Sequence, residues 1–256
     1  MLKLAIYGKG GIGKSTTVSN VAVALAERGL KVLQIGCDPK ADSTLSLRAG
    51  KALTPVLELI RQRKNDFTLE DMVQAGYGGV LCVEAGGPTP GMGCAGRGII
   101  AALEKLEEKG AYEVFRPDVV LYDVLGDVVC GGFSMPMRSG YADKVFILTS
   151  GENMAIYAAG NIAMAVERFR GRGYASLGGF ILNRRNVKNE EEKAAELAES
   201  FHSAVVGRLD RSELVPEAEE QHRTVLEAFP DSPMAEQYRA LAAVLLEGCE
   251  GGTKPC

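Results

Sequence analysis

Residues 8–17 read Gly8-Lys9-Gly10-Gly11-Ile12-Gly13-Lys14-Ser15-Thr16-Thr17, and this stretch decides the fold. Its first eight positions match G-x-x-x-x-G-K-[ST], the phosphate-binding loop, and the flanks supply the context that motif requires. Residues 2–7 (LKLAIY) have the length and apolarity of a buried strand, and 16–28 have the pattern of a helix. Glycines let the backbone N–H groups turn inward around phosphate oxygens, and a helix N-terminus adds partial positive charge. Lys14 is placed to reach the β- and γ-phosphates of a nucleotide and Ser15 to ligate its magnesium ion. An accidental glycine turn would lack the strand, the helix or both.

Working outward, residues 31–36 (KVLQIG) complete a βαβ unit. Further apolar runs at 79–84, 118–122, 144–149, 177–182 and 204–208 predict strands. Helical patterns fall at 53–64, 99–109, 153–169, 190–201 and 234–247. Residues 85–98 (AGGPTPGMGCAGRG) are so rich in Gly and Pro that they predict a loop. Alternating strands and helices, with strands apolar throughout, imply an α/β fold: a mainly parallel twisted sheet flanked by helices. The 256 residues and 46% hydrophobic content suit one large domain, expected over 1–247, with 248–256 as a flexible tail.

A formal charge of −4 and scattered basic residues, apart from Arg184–Arg185, argue against a nucleic-acid partner. No apolar run approaches the roughly 18 residues that span a bilayer, and no signal peptide is visible, so a cytoplasmic location without a membrane partner is expected. The six cysteines (37, 82, 94, 130, 249 and 256) contain no Cys-x-x-Cys pair, which disfavours a zinc ribbon or a thioredoxin-like site. Cys37 stands at the end of one predicted strand and Cys82 inside another, and both read as core or near-core residues; the helix face Met154, Tyr157, Ile162 and Met164 reads as packing.

Acids follow two of the strands, where ligands of an open α/β sheet bind. In Gly36-Cys37-Asp38-Pro39-Lys40-Ala41-Asp42-Ser43-Thr44, Asp38 is the candidate to orient an attacking water and Asp42 to act near magnesium. In Asp123-Val124-Leu125-Gly126-Asp127, Asp123 suits a magnesium-bound water and Asp127 a loop that senses the γ-phosphate. Lys9, Thr16 and Lys40 join the candidate nucleotide contacts, and Asn183 ends a predicted strand. Cys94 and Cys130 lie in small-residue segments where a cluster can approach the backbone. From the residues alone they read equally well as inert thiols. One chain offers two such cysteines, whereas a 4Fe–4S cluster usually takes four, and a symmetric dimer would supply them.

The GKGGIGKST form resembles the deviant Walker A loop shared by partitioning, septum-positioning and nitrogenase iron proteins, in which the extra lysine, here Lys9, acts across a dimer. GCDPKADST, AGYGGV-CVE-GGP-PG-GCAGRG and YDVLGDVVCGGF-MP-R narrow this: the chain resembles the nitrogenase iron protein family from residue 2 to about 245. That resemblance implies a homodimer holding one 4Fe–4S cluster by Cys94 and Cys130 of each subunit. It further implies MgATP-coupled one-electron transfer to a nitrogenase-like catalytic component, with a ferredoxin or flavodoxin upstream. Asn183 resembles the family's adenine contact, and Arg97 an arginine beside the cluster that some members carry ADP-ribosylated. Asn153, Gly160 and the short 48–67 region depart from the nitrogenase pattern. These departures favour a nitrogenase-like reductase, such as those acting on nickel-sirohydrochlorin, (bacterio)chlorophyll precursors or methylthio-alkanes. A partitioning ATPase would share the loop and Lys9 without the paired cysteine segments, and an iron–sulfur scaffold of the superfamily would need a C-terminal Cys-x-x-Cys.

Overall fold

A computed structural model describes residues 1–87, 95–126, 135–138, 140–170 and 173–250. The strands are β1 (Leu2–Gly8), β2 (Val32–Gly36), β3 (Gln74–Ala75), β4 (Leu81–Glu84), β5 (Val119–Leu125), β6 (Lys144–Thr149), β7 (Ser176–Asn183) and β8 (Val205–Leu209). The helices are α1 (Lys14–Glu27), α2 (Val56–Arg63), α3 (Leu69–Met72), α4 (Ala95–Glu108), α5 (Ala111–Phe115), α6 (Asn153–Arg168), α7 (Glu190–Ser200), α8 (Leu214–Glu220), α9 (Val225–Ala228) and α10 (Pro233–Glu250). Among the described residues the strands form an eight-stranded sheet in the order β3-β4-β2-β5-β1-β6-β7-β8. Every neighbouring pair is parallel except β3 with β4.

The central strands bury both faces, which is why they read as unbroken apolar runs. Along β1, Leu4 and Ile6 face one core and Ala5 and Tyr7 the other. The first core is closed by α1, α9 and α10, the second by α4, α6 and α7. Helix α1 is enclosed by the sheet and α10, so its polar residues need internal partners. Asn20 finds them by accepting from Val225 N and Leu226 N, which fixes the start of α9.

The structure differs from the sequence expectations in several places. Helix α4 starts at Ala95, inside the stretch read as a loop. Gly98 is there for close packing: a Cβ on it would lie 2.8 Å from Leu57 Cδ2. Strand β5 runs through Asp123 to Leu125, so Asp123 sits within a strand and is wholly buried. The face chosen for packing on α6 divides, because Ile162 is buried whereas Met154, Tyr157 and Met164 are 66%, 67% and 55% exposed. Short elements with too few residues to show a period (β3, α3, α5, α8 and α9) escaped the reading. Helix α10 extends to Glu250, into the segment expected to be a tail.

The ends of β1 and β5 meet at two glycines, where Gly126 N donates to Gly8 O at 2.9 Å. A Cβ on Gly126 would fall 2.6 Å from Ile162 Cδ1 and 2.9 Å from Gly8 O. Gly126→Ala should therefore cost about 1–3 kcal/mol by overpacking, read as a lower urea midpoint with an unchanged m-value. A midpoint equal to wild type would contradict the close approach.

Candidate functional site

The carboxyl ends of β1, β2 and β5, where such folds bind ligands, surround a cavity of about 530 Å³. Its floor is the loop between β1 and α1. Gly11 (φ 73°) and Gly13 (φ 90°) take left-handed conformations there that side chains rarely adopt. Gly13 immediately precedes α1, whose first residue is Lys14. The loop is braced from β7 and the segment after it: Asn183 Nδ2 donates to Ile12 O at 2.8 Å, and an Arg185 guanidinium nitrogen donates to Gly11 O at 3.0 Å. Thr16 Oγ1 donates to Glu219 Oε1 at 2.6 Å, which ties the first turn of α1 to α8.

At the centre, Lys14 Nζ lies 2.5 Å from Asp123 Oδ1, with the two side chains 5% and 0% exposed. Burial alone would lower the lysine's pKa, but the attraction of Asp123 outweighs it, so the ammonium is held above its usual range. The second oxygen of Asp123 accepts from Ser43 Oγ, also at 2.5 Å. Ser43 is in turn held by Gln34 Nε2, which donates to its carbonyl and its hydroxyl at 3.0 Å each. Thr44 donates its N–H and its hydroxyl to Glu84 Oε1, both at 2.7 Å.

Most sequence-chosen residues meet here. Lys9, Gly10, Gly11, Gly13, Lys14, Ser15, Thr16, Asp38, Lys40, Asp42 and Asn183 all line the cavity. Asp38 is nearly buried and accepts from Lys40 N at 2.9 Å. Gly8 and Ile12 support the loop from behind, since a Cβ on Gly8 would crowd Leu148 O at 2.8 Å. Asp123 stands beneath the loop as the partner of Lys14. Cys94, Asp127 and Cys130 lie outside the described residues, and for Arg97 only a place in the first turn of α4 is described. Glu84, Arg185 and Glu219 were missed, because an acid or arginine gains its meaning here from partners remote in sequence.

The nucleotide fits this cavity on the chemistry of its lining: glycine turns opening onto a helix N-terminus, with a lysine at its first position. The cysteines within the described core do not suit a cluster. Cys37 and Cys82 are fully buried, and burial pushes both thiols up, Cys82 to about 12. Both therefore stay protonated and inert. Among the described residues no group of three or more His, Cys, Asp or Glu could hold a metal ion. No described helix is long and apolar enough to cross a membrane.

Solved structures sharing this fold include the cell division ATPase MinD of Pyrococcus furiosus, with a TM-score of 0.75 and 18% identity, over 96% of this chain and 98% of that one. The septum site-determining protein MinD of Pyrococcus horikoshii, solved with Mg-ADP, gives a TM-score of 0.74 at 21% identity, over 98% and 99%. Fold and loop together define a P-loop, ATP-binding protein. Sequence similarity runs much higher elsewhere: a nitrogenase iron protein of Methanococcus voltae is 50% identical over 96% of this chain and 89% of its own length. One from Methanospirillum hungatei is 51% identical over 96% and 88%. The model of the 4Fe-4S iron sulfur cluster binding proteins, NifH/frxC family, matches residues 2–255, and the chain belongs to that family.

Glu84 is 1% exposed, and its Oε2 has no hydrogen-bond partner among the described residues. Burial, helped by the nearby Asp123 and Asp42 and opposed by the Thr44 bonds, raises its pKa to about 8. The folded chain then binds a proton that the unfolded chain releases between about pH 4.5 and 8. Stability should fall as pH rises through that window, by at most about 1.4 kcal/mol per pH unit for one proton. Glu84→Gln should flatten the slope, as measured by urea unfolding at pH 5, 6, 7 and 8. Parallel wild-type and variant curves would contradict the assignment.

Proposed function

We propose that this chain is the ATP-dependent reductase component of a nitrogenase or nitrogenase-like system. In this reading it is a homodimer in which MgATP hydrolysis gates one-electron transfer to a catalytic partner. Family membership and the loop supply the class, and one observation carries the gating mechanism. The lysine of the phosphate loop is paired with Asp123, on the strand whose chain continues to Asp127 and Cys130.

Cys94 and Cys130 of both subunits would hold a 4Fe–4S cluster, which supplies a one-electron couple when bound. In the cavity, Ser15 ligates magnesium, Lys14 and the loop N–H groups hold the phosphates, and Lys9 reaches the nucleotide of the facing subunit. Asp38 orients the hydrolytic water, Asp42 acts near the magnesium, Lys40 and Thr16 contact the nucleotide, and Asn183 contacts the base. Exchange of Lys14 from Asp123 to phosphate oxygens changes the charge balance inside β5. Asp127 responds to the γ-phosphate, and Cys130 follows it in the same segment. Arg97, in the first turn of α4, belongs to the docking face.

The partner sets the substrate. The relatives above are nitrogenase iron proteins by name. The departures at Asn153, which accepts from Lys193 Nζ at 3.0 Å, and Gly160 keep nitrogenase-like partners in the reading. A partitioning role has the shared fold, the loop and Lys9 in its favour, but it leaves the paired cysteine segments without a use.

Anaerobically purified variants test this. Cys94→Ser and Cys130→Ser should each lose the bulk of the bound iron, and full retention would remove them as ligands. Asp127→Ala should keep its iron while losing the MgATP-dependent acceleration of iron chelation. Chelation kinetics matching wild type in that variant would overturn the gate.

A further inference from the structure

Strand β2 lies between β4 and β5, and the loop that leaves it grips both neighbours with consecutive residues. Ser43 donates to Asp123 on β5, and Thr44 donates twice to Glu84 on β4. The Asp123 side of this grip is explained by Lys14. The Glu84 side has no such role assigned. Its carboxyl is buried at the end of a strand whose preceding residues are apolar, and one of its oxygens has no partner among the described residues. Leaving such a group unsatisfied costs about 1–3 kcal/mol, so an apolar residue would suit packing better. The sheet also makes room for it. A Cβ on Gly36, the last residue of β2, would lie 2.1 Å from Glu84 Oε2. Gly36 is not among the glycines with positive φ, so the requirement there is for space.

We propose that Glu84 is a positioning residue for the nucleotide reaction. By accepting both Thr44 donors it sets the height of the 38–44 loop above the sheet, and with it the placement of Asp38 and Asp42 opposite Lys14 and Ser15. The inference rests on the reading that this cavity takes MgATP. It assigns Glu84 no contact with the nucleotide. Its effect reaches the reaction through Thr44, and the loop is thereby held to both strands that lead toward the cysteine segments. Gly36 is the second half of the device, because any larger residue would push the carboxyl away from Thr44.

The test uses the full chain, with ATP hydrolysis followed against free Mg²⁺ at saturating ATP. A fluorescent ATP analogue is titrated in parallel with and without Mg²⁺. Glu84→Ala should raise the Mg²⁺ concentration for half-maximal activity roughly tenfold, while binding of the analogue without Mg²⁺ changes little. Glu84→Gln keeps a carbonyl for both Thr44 donors and should restore most of the loss. Thr44→Val, which keeps only the backbone N–H, should shift the same way by less. Gly36→Ala should resemble Glu84→Ala, and the double variant Gly36→Ala/Glu84→Ala should be no worse than either, since residues sharing one contact are not additive.

A wild-type Mg²⁺ dependence in Glu84→Ala and Thr44→Val would overturn the proposal. So would an equal loss of binding with and without Mg²⁺, which marks a merely structural defect, and so would additive effects of Gly36→Ala and Glu84→Ala. A wild-type chain that binds no nucleotide under any Mg²⁺ concentration would overturn the reading of the cavity itself, and this inference with it.

Discussion

The structure depends on one buried ion pair, Lys14 with Asp123. Two charges withdrawn from water gain little net stability from each other, because desolvation offsets most of their attraction. Such a pair is better understood as a position held for a purpose. Lys14 opens α1 and Asp123 is set within β5, so the pair joins the phosphate loop to the sheet. It keeps the ammonium charged and placed within a nearly solvent-free site. A cation so placed can exchange one anionic partner for another, and the partner it leaves is part of a strand.

Sheet order makes that exchange consequential. Because β2 lies between β4 and β5, the loop after it reaches Asp123 with Ser43 and Glu84 with Thr44. The acids of the 38–44 loop are thus anchored to strands on both sides while their own side chains face the cavity. Small residues permit the arrangement: Gly36 leaves room for the Glu84 carboxyl, and Gly8 and Gly126 let two strand ends touch. Asn183 and Arg185 donate to the carbonyls of Ile12 and Gly11, so the phosphate loop is braced through its own backbone oxygens.

Much of this was legible in the sequence. The loop motif placed between an apolar strand and a helix located β1 and α1, and apolar runs located the other long strands to within a few residues. Acids close to strand ends pointed to the cavity, and most of the residues chosen from sequence do line it. What escaped depends on distance along the chain. Asp123 looked like a residue beyond its strand because a buried acid needs a cation, and that cation lies 109 residues away. Glu84 looked ordinary because its partner Thr44 is 40 residues away. In α4 the glycines suggested a loop, whereas Gly98 serves helix packing against Leu57. Helix α6 is apolar on more than one face, so periodicity could not tell the buried Ile162 from the exposed Met154, Tyr157 and Met164.

In the proposed function, nucleotide at the Lys14–Asp123 site and a redox centre on the cysteine segments form one device. Anaerobic purification, iron counting and EPR of the dithionite-reduced protein with and without MgATP test that claim most directly. About four irons per dimer, and a reduced-cluster signal whose shape changes on adding MgATP, are the predicted result. A dimer that hydrolyses ATP but stays free of iron after cluster reconstitution, or a cluster signal indifferent to nucleotide, would contradict it.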